Sequence, residues 1–533
     1  MTKLTRRTFL QTSGVAAAGL TLAPNSLEAK ENKPNHKQPH IIFIMTDQHR
    51  GDAIGLLNPV VQTPNIDKIG QNGLIFRSGY SSTPSCTPAR SGLLTGQSPW
   101  NHGMLGYSRV ARKYPIEMPR MLGELGYYTF GIGKMHWYPQ KSLHGFHGTL
   151  VDESGRIEDD GYVSDYRDWF RLNAPGFDPD KTGIGWNENK ADTYKLPKKL
   201  HPTEWTGNTA VQFIENYEIE NPLFLKVSFA RPHSPYDPPK EYLDKYHISD
   251  IEPPVRADWS EKFAPLRNKE NYSTAFGDFG DDYAKNSKLH YYANISFIDD
   301  QVGKIIEALK EKGIYDDCII CFTSDHGDMM GDHNHWRKTY AYEPSAKIPF
   351  LMQYPNWMEG AMPRGSECFK PVELRDFLPT FLEAAGGKIP KEIDGKSLLS
   401  FVHDKEPKWR EYIDLEHATC YSASNYWAAL TDGKMKYIWF IHTGEEQLFD
   451  IEKDPKEIKE LSSKRRYQKE LKKWRQRMVE HLEVRGETFV KDKKLVKRKN
   501  TLLIGPNFPD KKWSNNEALA YWRKETKNAF KMI

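Results

Sequence analysis

The chain has 533 residues, of which 38% are hydrophobic and 27% charged, and its 14 Trp, 27 Tyr and 25 Phe exclude wholesale disorder. Its 75 Lys and Arg against 71 Asp and Glu leave a net charge of +4, which makes no case for nucleic acid or a membrane surface as partner. Five cysteines are too few for a disulfide framework, and the odd count leaves at least one thiol over.

Residues 1–29 open with a basic stretch, continue apolar from Gly14 to Ala23, and end in small residues before Ala29. That is the layout of an export signal. The apolar part falls well short of the ~20 residues needed to cross a bilayer, so no membrane span is expected. The stretch Thr5-Arg6-Arg7-Thr8-Phe9-Leu10 resembles the twin-arginine signal of bacteria, which implies the twin-arginine export machinery as partner and a periplasmic location. Residues 30–39 are a polar linker.

From residue 40 the chain alternates β-branched apolar runs (40–45, 128–133, 223–229, 318–323) with helix-like stretches (65–72, 118–125, 206–217, 295–312). The pattern predicts an α/β fold with a mostly parallel sheet sandwiched by helices over residues 40–405. Two aromatic runs around Asp432-Gly433 predict an antiparallel hairpin in a smaller C-terminal α+β subdomain, 406–533. Its tail is basic and helical. Residues 451–500 carry 18 Lys and Arg against 9 Asp and Glu, with a charge-rich helix expected over 463–484. Such a helix is a solvated face more often than a polyanion site.

In open α/β sheets ligands gather beyond the carboxyl ends of the strands. There the first run ends in Asp47-Gln48, and the run at 318–323 is followed by Ser324-Asp325-His326-Gly327-Asp328. Carboxylates, an amide oxygen and one imidazole suit a hard divalent cation better than zinc. Cys318 and Cys321 are spaced like a redox pair, but they sit inside an apolar run where inert buried thiols are expected.

The segment Cys86-Thr87-Pro88-Ala89-Arg90, followed by Leu94-Thr95-Gly96, resembles the signature of the type I sulfatases of the alkaline-phosphatase-like superfamily. Gly133-Lys134-Met135-His136, Arg231-Pro232-His233, the stretch from Ser324 to His333 with Lys338 beyond it, and Leu448-Phe449-Asp450 extend the likeness from Ile41 to about Leu461. The resemblance implies that Cys86 is converted to 3-oxoalanine (formylglycine) by a formylglycine-generating or anaerobic sulfatase-maturing enzyme. It implies one calcium ion per chain, ahead of magnesium or manganese, held by Asp47, Gln48, Asp325, His326 and the modified Cys86. Many members have two adjacent aspartates where this chain has Asp47-Gln48, and that change predicts a somewhat weaker, more positive metal site.

The implied reaction is hydrolysis of a sulfate ester on a carbohydrate. A hydrated aldehyde suits it because one hydroxyl attacks sulfur and the other expels sulfate afterwards, which a serine could not do. Arg90 supports the nucleophile, Lys134 and Lys338 neutralise sulfate oxygens, and His136 is the base. His233 is the expected proton donor, with Lys338 as competitor. His333, His335 and Arg337, with Trp336, are candidates for lining the sugar pocket. Two alternatives remain open: a phosphonate or phosphodiester hydrolase with the same nucleophile, and a non-catalytic binder of sulfated glycans.

Overall fold

A computed structural model describes residues 37–526 apart from 160, 181–182, 268–270 and 423, so the signal-like residues 1–29 lie outside the described part. The first half of the chain forms β1 (His40–Asp47), α1 (Pro64–Gln71), β2 (Gly73–Phe76), α2 (Cys86–Thr95), α3 (Met118–Glu124), β3 (Tyr128–Gly133), β4 (Gly148–Val151), α4 (Pro202–Glu215) and β5 (Leu223–Pro232). Then follow α5 (Asp281–Glu311), β6 (Cys318–Ser324), β7 (Phe350–Gln353), β8 (Ser366–Cys368) and α6 (Phe377–Ala384). The C-terminal part contributes β9 (Ile413–His417), β10 (Trp427–Thr431), β11 (Met435–Phe440), β12 (Glu446–Asp450), α7 (Gln468–Glu483) and α8 (Asn515–Thr526).

The large sheet has eight strands in the order β4-β3-β5-β1-β6-β7-β2-β8. Only β7 runs against its neighbours β6 and β2. Strand β1 is central because His40 to Asp47 is apolar on both sides, and its alternate residues feed two different cores. Ile41, Phe43 and Met45 face α2, α3 and α6, whereas Ile42 and Ile44 face α1, α4 and α5. Phe43 meets Phe377 and Phe381 edge-on at 4.9 and 5.8 Å. Truncating such a ring to alanine costs about 3–5 kcal/mol.

Helix α5 begins fourteen residues before the start expected at residue 295, at Asp281. Its middle is buried nearly all round, polar side chains such as Ser287, Lys288, Asn294 and Asp299 included, so no amphipathic stripe marks it. Acidic Asp281 and Asp282 in the first turn suit the positive end of the helix.

Strands β9 to β12 form an antiparallel sheet. Helix α7 covers it with Leu471, Trp474, Met478 and Leu482, which share one face. Its basic face is ion-paired: Arg475 reaches Glu446 at 2.6 Å and Arg477 reaches Glu411 at 2.9 Å. The charge excess of 451–500 is therefore in part a solvated, paired surface. The two parts of the molecule are joined by buried Lys436, whose ammonium lies 2.7 Å from Glu343 and 3.0 Å from Glu457 and donates to the Ala341 carbonyl. Tyr80 donates to the same Glu343.

Candidate active site

Four strands of the large sheet end at one place. β1 ends at Asp47, β3 delivers Lys134, β5 delivers His233 and β6 delivers Asp325 and His326. Helix α2 meets them with its first residue, Cys86, so the thiol sits at the positive end of a ten-residue helix buried throughout. One ligand atom each from Asp47, Cys86, Asp325 and His326 lies within 4.8 Å of all the others.

This donor set fits a divalent cation. The ring Nδ1 of His326 donates to the Gly327 carbonyl at 3.0 Å, which leaves Nε2 with its lone pair 3.2 Å from the Cys86 sulfur. Burial pulls the His326 imidazole down, yet Asp325 and Cys86 outweigh burial and leave it raised, the mark of a spot that draws positive charge. Gln48 lies beside this group with both ends of its amide engaged: Oε1 accepts from Lys338 at 2.8 Å and Nε2 donates to Asp328 at 2.5 Å.

Three cations surround the donors. Lys134 Nζ is 2.6 Å from Asp47, and Lys338 Nζ is 3.3 Å from the Cys86 sulfur. Arg90 bonds Asp325 at 2.9 Å, Asp47 at 3.4 Å and the Lys134 carbonyl at 2.7 Å. It therefore fixes the carboxylates rather than reaching out toward a nucleophile. Burial pushes the Asp47 carboxyl up, but Lys134 leads the neighbouring cations that hold it well below the usual carboxylate range. The Cys86 thiol ends below its ordinary value, because Lys338, Lys134 and His326 outweigh burial and Asp47.

His136 is buried with both ring nitrogens free of hydrogen-bond partners among the described residues, and it faces a cavity of about 260 Å³ that also exposes Cys86. Burial and then Arg156 hold its imidazole well below the usual value, so it is a neutral base with a lone pair to offer. His233 lines the same cavity. Its Nδ1 donates to the Ser234 carbonyl at 2.8 Å, and burial followed by Lys338 keeps the ring neutral. Nε2 then carries a lone pair, so His233 could protonate a leaving oxygen only after gaining a second proton. Lys338 has N–H groups to give as it stands.

Left-handed backbone recurs here in residues other than glycine: Gln48 (φ 67°), His136 (φ 62°), Arg337 (φ 70°) and Thr339 (φ 85°). Such conformations persist only where surrounding contacts enforce them. At Arg337 the backbone N–H donates to Asp328 at 3.0 Å, and Asp328 also receives Gln48 and Tyr236.

Of the proposed sugar-pocket residues, Arg337 lines the cavity and His333, His335 and Trp336 do not. His333 packs on Trp259 at 4.6 Å and borders a separate cavity with Arg50 and Lys288. His335 lies among Phe263 and Tyr340, its Nδ1 tied to the His333 carbonyl, and the Trp336 ring packs against Phe279. The tight turn after Gly331 points these neighbours away from one another, which linear spacing cannot show. The cavity wall instead uses Tyr107, Arg156, Trp186 and Tyr421. They come from loops without motif, so only the tertiary fold reveals them. Ser85 and His417 were also missed: Ser85 Oγ bonds His417 Nε2 at 2.7 Å, one residue before Cys86. Helix α8 stacks Tyr521 on Tyr107 and bonds Glu158 at 3.0 Å.

Residues 39–387 match the sulfatase family model. The chain belongs to the sulfatase family. A second model, for the C-terminal part of N-sulphoglucosamine sulphohydrolase, matches residues 331–484. An arylsulfatase from Clostridium perfringens is 36% identical over 86% of this chain and 98% of its own length. An N-acetylglucosamine-6-O-sulfatase from Bacteroides thetaiotaomicron is 25% identical over 86% and 89%. A phosphonate monoester hydrolase structure from Agrobacterium radiobacter superposes with a TM-score of 0.71 at 23% identity, covering 87% of this chain and 100% of its own, a likeness of fold. The alkaline-phosphatase-like sheet and the small antiparallel subdomain follow the family architecture, and the chain is a sulfuric ester hydrolase. Helix α8 lies beyond both family models.

Proposed function

We propose that this sulfatase removes sulfate from a carbohydrate, using Cys86 converted to formylglycine as its nucleophile. The observation that carries this reading is the convergence of Cys86, Lys134, His136 and Lys338 on one cavity, above two buried carboxylates and an imidazole. Asp47, Asp325, His326 and the oxygen replacing the Cys86 sulfur would hold a calcium ion, with Gln48 beside them. When bound, the ion supplies Lewis-acid polarisation of a sulfate oxygen and lowers the pKa of the nucleophile. Conversion of the thiol also turns a mixed donor set into one of oxygens and a single imidazole, which favours a hard cation.

The protein's own groups do the rest. Lys134 and Lys338 take sulfate oxygens, and Arg90 keeps the Asp47 and Asp325 carboxylates turned toward the metal position. His136 accepts the proton that lets sulfate depart, and Lys338 protonates the leaving sugar oxygen. The carbohydrate assignment draws on the N-acetylglucosamine-6-O-sulfatase relative and on the aromatic and polar cavity wall. We also propose twin-arginine export to the periplasm and maturation of Cys86 by a formylglycine-generating or anaerobic sulfatase-maturing enzyme.

The test compares hydrolysis of an aryl sulfate, an aryl phosphonate monoester and defined sulfated oligosaccharides, with the mass of the Cys86 peptide read in parallel. Desulfation together with the mass of an aldehyde or its hydrate is expected. Preference for the phosphonate would favour the second reading, which the fold neighbour makes specific. An unmodified thiol in active protein would overturn the nucleophile.

A further inference from the structure

We propose that the active-site cavity holds a second anion subsite built on Arg337, so that the preferred substrate carries a carboxylate or a further sulfate beside the sulfate that is cleaved. This rests on the carbohydrate sulfatase reading of the same cavity.

Six arginines are buried among the described residues: Arg50, Arg90, Arg231, Arg337, Arg375 and Arg485. Five of them are matched by carboxylates. Arg50 pairs with Asp52 and Asp332, Arg90 with Asp47 and Asp325, and Arg231 with Asp237. Arg375 pairs with Glu373 and Asp414, and Arg485 with Glu416. That is the ordinary rule, since a buried charge is costly unless it is paired. Arg337 alone, 8% exposed, has no carboxylate within ion-pair distance among the described residues. It is also the one of the six that lines the active-site cavity.

The guanidinium is held ready by neutral partners. Nη1 donates to the Ser273 carbonyl at 3.2 Å, Nη2 donates to Asn187 Oδ1 at 2.5 Å, and the plane lies 4.4 Å from the centre of the Tyr421 ring. A guanidinium has five N–H donors, so part of its fork stays unengaged, in the geometry that receives a carboxylate or sulfate two-pronged. Arg337 lines the same cavity of about 260 Å³ as Lys338, whose ammonium is already at the Cys86 sulfur. The second anion therefore belongs on the same sugar as the scissile sulfate or on the next one. Charge supports this count: of the four cations lining the cavity, Lys134 pairs with Asp47 and Arg156 with Glu153 and Glu158, which leaves Lys338 for the scissile sulfate and Arg337 for a second anion.

The experiment uses two matched pairs of sugars as competitive inhibitors of aryl sulfate hydrolysis. One pair is N-acetylglucosamine 6-sulfate and glucosamine N,6-disulfate. The other is a 2-sulfated hexuronate disaccharide and its carboxyl-reduced counterpart. The first pair reads a second sulfate and the second pair a carboxylate. The doubly anionic member of at least one pair should inhibit about 10-fold more strongly. In Arg337→Met that ratio should fall to within about 2-fold, with Arg337→Lys between, because a point charge replaces the fork. Equal inhibition within both pairs, or a ratio that survives Arg337→Met, overturns the subsite. Calorimetric titration of the same four sugars into Cys86→Ala protein reads binding without turnover. Preserved discrimination there, in protein whose parent hydrolyses no sulfated sugar, would sink the carbohydrate hydrolase reading and leave the subsite standing.

Discussion

Cys86 combines two properties that usually exclude each other: it is buried, at 2% exposure, and its thiol sits below its ordinary pKa because cations surround it. The helix N-terminus and the two lysines that stabilise a thiolate would equally stabilise any oxyanion formed at that carbon. We predict that Cys86→Ser lowers turnover by about 10³-fold or more while thermal unfolding stays close to wild type, since the swap changes little volume. Full activity in that variant would exclude the nucleophile assigned. Metal binding should appear as stability: calcium at 100 times its Kd adds about 2.7 kcal/mol, which chelation removes. Asp325→Asn protein should show little calcium-dependent shift in its unfolding midpoint, and an undiminished shift would move the ion elsewhere. Most of these residues could be read from the sequence because each is tied to a strand end or to the helix that begins at Cys86. His333 and His335 were misread because a left-handed turn (φ 56° at His333) sends them into other cavities.

Within the elements, strand β5 carries a side chain at odds with its surroundings. Lys226 is buried beside Trp137, 5.4 Å from the ring centre, in a strand that is otherwise apolar up to Ser228. Burial, followed by the nearby Arg90, pulls its ammonium from 10.5 down to about 7. Between those two values the unfolded chain holds more protons than the folded one. The penalty is therefore full below pH 7 and relaxes as the pH rises toward 10. Lys226→Met should raise the unfolding midpoint most below pH 7, by an amount on the order of a few kcal/mol, and the gap to wild type should close by about pH 10. Denaturant titrations at three pH values would check it, and a gap that does not change with pH would contradict it. The strands themselves were plain in the sequence, because a parallel sheet buried on both faces writes continuous apolar runs. The start of α5 was hidden for a related reason: a helix buried on nearly all sides loses the 3.6-residue alternation by which helices are recognised.

Across the whole molecule, one of the links that join the antiparallel sheet to the catalytic body is a buried ammonium shared by two carboxylates, beside the contacts of Ser85 with His417 and of Arg375 with Asp414. Lys436→Met would take the shared ammonium from between Glu343, which keeps Lys347 at 3.2 Å, and Glu457, at a cost of about 3–5 kcal/mol. Hydrogen exchange should show the loss first as faster opening of β9 to β12, and unchanged protection there would mean that the remaining contacts hold the two parts together without Lys436. This junction could not be foreseen, because Lys436 lies in a hairpin strand and its partners are 93 and 21 residues away. The same holds for α8, which the sequence offers only as a tail.

Helix α8 also sets a clock. Its Tyr521 braces Tyr107 on the rim of the cavity that leads to Cys86, yet the ribosome makes it more than 400 residues later. At about 5–20 residues per second, that leaves roughly 20–90 s in which the thiol can be reached while its final wall is still unmade. If Cys86 is converted as proposed, this interval is the one in which a maturing enzyme would meet the site before its last element is made.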